Sequence, residues 1–92
     1  MDIAEFEWDA KKAASNLRKH GVSFPFASRA LLDEHRIEQL DDRENYGETR
    51  FITIGLVADF EIVVIYTLRE ENIRIISARK ADLHEIEAYW NS

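Results

Sequence analysis

The strongest restriction on the fold of this 92-residue chain comes from three segments rich in β-branched and aromatic residues. They span residues 51–57, 61–68 and 73–79, and Val, Ile, Thr, Tyr and Phe are the residues that strands favour. Only a few residues connect them, and such short connections join antiparallel neighbours, since a parallel connection needs a crossover. The pattern therefore predicts an antiparallel meander. Residues 61–68, which are apolar on both alternating faces, are predicted to form its central strand, covered on both sides.

Two helices are predicted before this meander. Asp9 and Gly21 suit the N-terminal and C-terminal caps of a helix over about residues 10–20. Ser23 can cap a second, shorter helix, in which Pro25 is tolerated because it falls in the first turn. The helices of the chain are expected to lie largely on one face of the sheet.

A third helix is predicted after the meander, and a short edge strand over residues 36–40 before it. Asp82 and Glu85 have the spacing of a capping box. The fold class is therefore α+β, with an antiparallel sheet, two N-terminal helices and one C-terminal helix in a single domain over residues 1–92. The residues of the last helix expected to pack on the sheet are Leu83, Ile86, Tyr89 and Trp90.

Composition narrows the function classes. The chain has no cysteine and no apolar run long enough to span a membrane, and residues 1–5 lack the pattern of a signal peptide. These features predict a cytoplasmic protein that does not bind membranes. The net charge of −6 argues against a nonspecific nucleic-acid coat.

The residues that stand out for chemistry lie at the end of the third strand. Arg79 and Lys80 end this strand, and twist there is expected to bring both into one groove, where they can bind phosphate. Strict alternation places Ile73, Ile75, Ser77 and Arg79 on one face of the strand. The alternative is structural, with Arg79 paired to an acid of the 41–48 loop and Arg74 paired to Glu85 or Glu87.

Three other side chains have both a functional and a structural interpretation. His20 is the best general acid or base by residue type, or it only complements the end of its helix. Arg69 lies in a turn, where it can contact RNA or only solvate the hairpin. Tyr89 can orient a phosphate, or it is a core aromatic residue. No metal-ligand, glycine-rich phosphate-loop or serine-nucleophile motif is present, so neither a metal nor a cofactor is predicted.

Several segments resemble the BrnT-type toxins. They include Phe6-Glu7-Trp8-Asp9, Lys19-His20-Gly21-Val22 and Arg74-Ile75-Ile76-Ser77-Ala78-Arg79-Lys80-Ala81, and the similarity extends over about residues 4–90. The paired K-H-G-V and R-I-I-S-A-R-K-A segments at this separation are a specific signal.

The resemblance implies a bacterial or archaeal ribonuclease toxin of a type II toxin–antitoxin pair, with a RelE-like fold. Such a toxin inhibits translation by metal-independent endonucleolytic RNA cleavage, which leaves a 2′,3′-cyclic phosphate and a 5′-hydroxyl. A BrnA-type antitoxin neutralises it, and the complex represses its own operon, so operator DNA is reached only through the antitoxin. By analogy, Arg79 and Lys80 contact the scissile phosphate, Arg69 positions RNA, His20 transfers protons and Tyr89 contributes.

Two alternative functions also fit the sequence to different degrees. A catalytically silent homologue that binds the antitoxin as a corepressor fits the acidic composition equally well. A stand-alone DNA-binding protein is disfavoured by the net charge and by the lack of a recognition-helix pattern. The aromatic content also predicts an exposed apolar strip that an antitoxin buries. It is drawn from Phe6, Trp8, Phe24, Phe26, Phe51, Phe60 and Trp90.

Overall fold

A computed structural model describes residues 5–92 as helices packed on a five-stranded sheet. Residues 1–4, on which most of the signal-peptide prediction falls, lie outside the described residues. The strand order is β1-β5-β4-β3-β2, so β4 is central, as predicted. The strands are β1 (Phe6–Glu7), β2 (Ile37–Leu40), β3 (Arg50–Val57), β4 (Phe60–Arg69) and β5 (Asn72–Lys80).

The helices begin and end at the positions that the capping residues indicate. α1 covers Ala10–His20, between an Asp9 side chain that accepts from the Lys12 amide and a left-handed Gly21 with φ of 70°. α2 covers Phe24–Ser28 and leads into a 3-10 helix over Arg29–Leu32. α3 covers Leu83–Trp90 and starts with the predicted capping box.

The sheet is mixed, which corrects the prediction of a purely antiparallel meander. Strands β2 to β5 are sequentially antiparallel, but β1 pairs with β5 in parallel, with Phe6 opposite Ile73. No strand was predicted here, because β1 has only two residues and two residues show no alternation. α1 and the segments after it supply the long connection that a strand in this position requires.

One face of the sheet, here the core face, packs against α1, α2 and the 3-10 helix. Phe24, Ile62, Val64 and Ile75 are fully buried there. Gly55 of β3 allows the 3-10 helix to approach closely, because a Cβ at this position would lie 2.2 Å from the Ala30 carbonyl oxygen.

A β-bulge changes which side chains of β5 share a face. Ile65 pairs with Ser77, whereas the next residue of β4, Tyr66, pairs with Ile75, so Ile76 is an extra residue. The prediction that side chains of β5 alternate strictly between the two faces is therefore wrong at Ile76. Ile73, Ile75, Ala78 and Lys80 lie on the core face, and Arg74, Ser77 and Arg79 lie on the opposite face, here the second face.

α3 is the one helix of residues 5–92 that crosses the second face, and only part of its predicted apolar stripe is buried. Tyr89 is 6% exposed, but Leu83 is 72% and Trp90 58% exposed, so the packing prediction is wrong for these two residues. A single helix with no second layer above it buries only the side that faces the sheet. No helix in the described part of the chain is long and apolar enough to cross a membrane.

Candidate functional site

Four of the five predicted site residues lie at one end of the sheet, where β5 finishes. Arg79 and Lys80 are the last residues of β5, and α3, which carries Tyr89, follows directly. His20 is the last residue of α1. The structure thus brings four candidates to one end, although their side chains do not all share one surface.

Asn16 fixes the end of α1 to the end of β5. Its side-chain amide donates to the Ala78 carbonyl at 2.8 Å and to the Val22 carbonyl at 3.0 Å, and its carbonyl oxygen accepts from the Ala78 amide at 3.1 Å. His20 follows Asn16 by one helical turn and so extends from the same side of α1. No role was predicted for Asn16, which is buried in the structure; the signal available in the sequence was a polar amide one turn before His20.

Arg79 lies on the second face, in an ion pair with Glu85 of α3. Its Nη1 donates to Glu85 Oε1 at 2.7 Å, and its Nη2 donates to Oε2 at 2.8 Å. The hydrogen bond to Glu85 raises the pKa of Arg79, and the same bond lowers the pKa of Glu85. Both groups are therefore charged at neutral pH. The partner is Glu85, not an acid of the 41–48 loop.

Lys80 extends to the core face, away from Arg79. Its Nζ lies 4.9 Å from the centre of the Phe60 ring. It borders a groove of about 360 Å³ that α1, α2 and the start of β4 also line. The expectation that Arg79 and Lys80 reach one groove therefore does not match this arrangement, in which the two cations flank the strand end on opposite faces.

The hydroxyl of Tyr89 is hydrogen-bonded to the carboxylate of Asp33, which follows the 3-10 helix. Its hydroxyl donates to Asp33 Oδ2 at 2.5 Å, and the Leu56 amide donates to the same oxygen at 2.8 Å. Burial, together with the hydrogen bond to Asp33, raises the pKa of Tyr89 to about 12. The hydroxyl is therefore a protonated hydrogen-bond donor at neutral pH.

Arg69 lies at the opposite end of the sheet. It is exposed at the end of β4, where it pairs with Asn72, whereas Lys80 pairs with Ile62 near the start of β4. The β4 residues Ile62 and Arg69 are separated by about 23 Å at the rise of an extended strand. Arg69 therefore does not share a site with the other four residues.

Comparison with known families identifies the chain. A family model described as "Ribonuclease toxin, BrnT, of type II toxin-antitoxin system" matches residues 8–85. The chain belongs to this BrnT family. No curated protein matches the chain significantly. The family establishes a ribonuclease toxin and, because the system is type II, an antitoxin protein as its partner.

The matched range of the BrnT toxin contains four of the five candidate residues. His20, Arg69, Arg79 and Lys80 fall within it, and Tyr89 lies beyond its last residue. The match also includes Asn16 and Glu85, the two residues that hold the strand end in place.

The second face of the BrnT toxin carries three arginine–glutamate pairs. Besides Arg79, Arg50 pairs with Glu48 at 2.9 Å, and Arg74 pairs with Glu7, not with Glu85 or Glu87, at 2.7 Å. Glu48 precedes β3, Glu7 lies in β1 and Glu85 lies in α3. The charge of each of these three guanidinium groups is therefore balanced by an adjacent carboxylate.

Histidine and carboxylate side chains of the BrnT toxin are dispersed. Among residues 5–92, no three His, Asp or Glu side chains come together in a group that could hold a metal ion. A groove of about 250 Å³ between α3 and the second face contains one histidine, His84, next to Glu85. His84 was not predicted as a site residue, because the three histidines of the chain fall in different predicted elements.

Proposed function

We propose that this BrnT-family toxin cleaves RNA endonucleolytically without a metal ion. The observation that carries the proposal is the geometry of Arg79, whose guanidinium presents two parallel N–H donors to a pair of oxygens at 2.7 and 2.8 Å. A phosphate group offers the same pair of acceptors. In the chemistry we propose, the RNA 2′-oxygen bonds to the adjacent phosphorus as the bond to the 5′-oxygen breaks, which leaves a 2′,3′-cyclic phosphate and a 5′-hydroxyl.

The neighbouring cationic groups support this assignment. Arg79 would bind the scissile phosphate and stabilise the charge that develops on its oxygens. Lys80 is the next residue and lies on the core face, so it would bind the RNA backbone on the other side of the strand end. His20 would take the proton from the 2′-hydroxyl and deliver it to the leaving 5′-oxygen, because an imidazole can both accept and donate a proton.

The other two candidates would have different roles. Arg69 lies about 23 Å along β4 from the strand end, so we propose that it binds the RNA strand at a distance from the cleaved bond. Tyr89 would contribute by holding α3, and with it Glu85, beside Arg79, since its hydroxyl is engaged by Asp33.

The partner we propose is a BrnA-type antitoxin, encoded with the toxin and acting in the same cytoplasm. The antitoxin would neutralise translation inhibition and carry the toxin to operator DNA, where the complex represses its operon. The predicted aromatic strip does not form: Phe24 is fully buried, and four other aromatic residues pack against the core. Phe60, 46% exposed on the core face, and Trp90, 58% exposed on α3, remain as separate apolar contacts for such a partner.

Cleavage of purified RNA in EDTA, with mapping of the 5′ ends, tests the proposal. We expect 5′-hydroxyl products, a loss of about 100-fold or more in Arg79→Ala, and a smaller loss in Lys80→Ala. Lys11→Ala removes one positive charge from an exposed position on α1 and is the matched control. Cleavage that requires added Mg²⁺, or that survives Arg79→Ala, would contradict the proposed mechanism.

A second function is favoured by one observation. The three arginines of the second face are already ion-paired to glutamates, which suits a catalytically silent homologue that serves as an antitoxin-binding corepressor. In that case purified protein leaves RNA intact and induced expression does not slow growth, while the protein still increases the affinity of the antitoxin for operator DNA.

A further inference from the structure

Glu85 occupies the two donor positions of Arg79 that a phosphate needs. Its two carboxylate oxygens accept separately from Nη1 and Nη2, which is the arrangement that a bidentate phosphate also requires. A phosphate and the Glu85 carboxylate are therefore competitors for one set of donors. Both are anions, so they cannot share these donors without repulsion.

Glu85 has a second role at the start of α3, and this role uses one oxygen only. Oε1 accepts from the Asp82 amide at 2.8 Å, and the Asp82 carboxylate accepts from the Glu85 amide at 2.9 Å. Within residues 5–92, Oε2 accepts a hydrogen bond from Arg79 only. Oε1 also accepts from Arg79 Nη1, so with the cap intact it is the Arg79 side chain that moves away from the carboxylate. The release of Arg79 therefore does not require α3 to unwind.

We propose that Glu85 is an internal competitor that masks the phosphate-binding edge of Arg79 in the free toxin and gives way to RNA. The inference rests on the proposed function, which makes Arg79 an RNA contact. The side chains of Arg79 and Glu85 are 34% and 18% exposed, and an ion pair in contact with water exchanges at small cost. An RNA phosphate gains the additional free energy of counterion release. Glu85 therefore sets how tightly the toxin holds RNA.

The variant Glu85→Gln separates the two roles of this side chain. Glutamine serves in capping boxes as well as glutamate, so its carbonyl oxygen can still accept from the Asp82 amide. Its NH₂ group is a donor and cannot replace Oε2 against Arg79. The glutamine side chain therefore keeps the helix cap, frees Nη2 of Arg79 and removes the negative charge that competes with phosphate, while its neutral carbonyl oxygen can still accept from Nη1.

Binding is measured with a 2′-O-methyl RNA oligonucleotide, which lacks the attacking hydroxyl and stays intact. We expect Glu85→Gln to bind it about five- to tenfold more tightly than the natural chain. The logarithmic salt dependence should steepen by about 0.7, which corresponds to one more phosphate contact on a single strand. Glu87→Gln makes the same charge change at an exposed position of the same helix and should change affinity less than twofold.

Two further outcomes decide the inference. The double variant Arg79→Ala/Glu85→Gln should lose the gain, and circular dichroism should show unchanged helix content in Glu85→Gln. Equal affinities for Glu85→Gln and Glu87→Gln, or weaker binding by Glu85→Gln, would overturn the inference. Cleavage of unmodified RNA is assayed in parallel: cleavage by the natural chain without the affinity gain refutes only the competitor, and the gain without cleavage refutes only the nuclease.

Discussion

The hydroxyl of Tyr89 and the carboxylate of Asp33 join the last turn of α3 to the end of the 3-10 helix through a bond of 2.5 Å. These elements lie on different faces of the sheet, and the bond passes around the exposed edge of β3, where Asp33 also accepts from the Leu56 amide. Together with the pair between Arg79 and Glu85 at its other end, this bond holds α3 across the second face.

Tyr89→Phe should destabilise the fold by about 1 to 2 kcal/mol, because it removes a hydrogen bond to a charged acceptor. Urea unfolding followed by circular dichroism measures this loss. Tyr46→Phe is the matched control, since the Tyr46 hydroxyl donates to a carboxylate at the longer distance of 3.3 Å and should cost less. Equal losses of unfolding free energy in the two variants would show that the shorter bond of Tyr89 stabilises the fold no more than the longer bond of Tyr46.

Stability should fall on acidification through Asp33. Burial alone would raise the pKa of Asp33, but hydrogen bonds from Tyr89, Leu56 and His35 outweigh it and hold the pKa below the usual 3.8. A carboxyl whose pKa is lower in the folded state stabilises fully above its unfolded pKa and loses that effect as the pH falls through the folded value.

The test compares urea midpoints of the natural chain and of Asp33→Asn from about pH 6 down to pH 2.5. The natural chain should lose its advantage over the variant below about pH 4. A constant difference across this range would mean that Asp33 titrates alike in both states.

Local signals allowed much of this fold to be predicted from the sequence. Asp9, Gly21 and Asp82 give the boundaries of α1 and α3, because caps act through hydrogen bonds within a few residues. The meander followed from short connections between β-rich segments. β1 could not be predicted, since two residues carry no periodicity and their pairing partner is more than sixty residues away.

The arrangement of the candidate site could not be predicted from the sequence, because it depends on a β-bulge of one residue. The bulge at Ile76 reverses the alternation of every later residue of β5, so that Arg79 joins Arg74 on the second face. No residue type near Ile76 indicates a bulge in the sequence. The partner of Arg79 was also not predicted, since Glu85 was considered as a helix cap and as a partner of Arg74, which pairs with Glu7 instead.

Asn16→Ala should loosen the strand end at which the candidate residues meet. It leaves the buried Ala78 amide and the carbonyls of Ala78 and Val22 without the partner they have now, which should cost about 2 to 4 kcal/mol. Amide hydrogen exchange provides a local measurement: the Ala78 amide should exchange much faster in the variant. Asn91→Ala, at an exposed position, is the control. Unchanged exchange at Ala78 would contradict the anchoring role.

Gly55→Ala should destabilise the fold by about 3 kcal/mol, because it adds atoms where two backbones touch. The new Cβ would lie 2.2 Å from the oxygen and 2.9 Å from the carbon of the Ala30 carbonyl. These are backbone atoms of the 3-10 helix, so no side-chain rotation relieves the overlap. Gly47→Ala is the control: nothing lies within 4 Å of its Cβ, but its φ of 71° strains alanine by about 1 kcal/mol. A loss at Gly55 no larger than the loss at Gly47 would show that the 3-10 helix moves away from β3 at little cost.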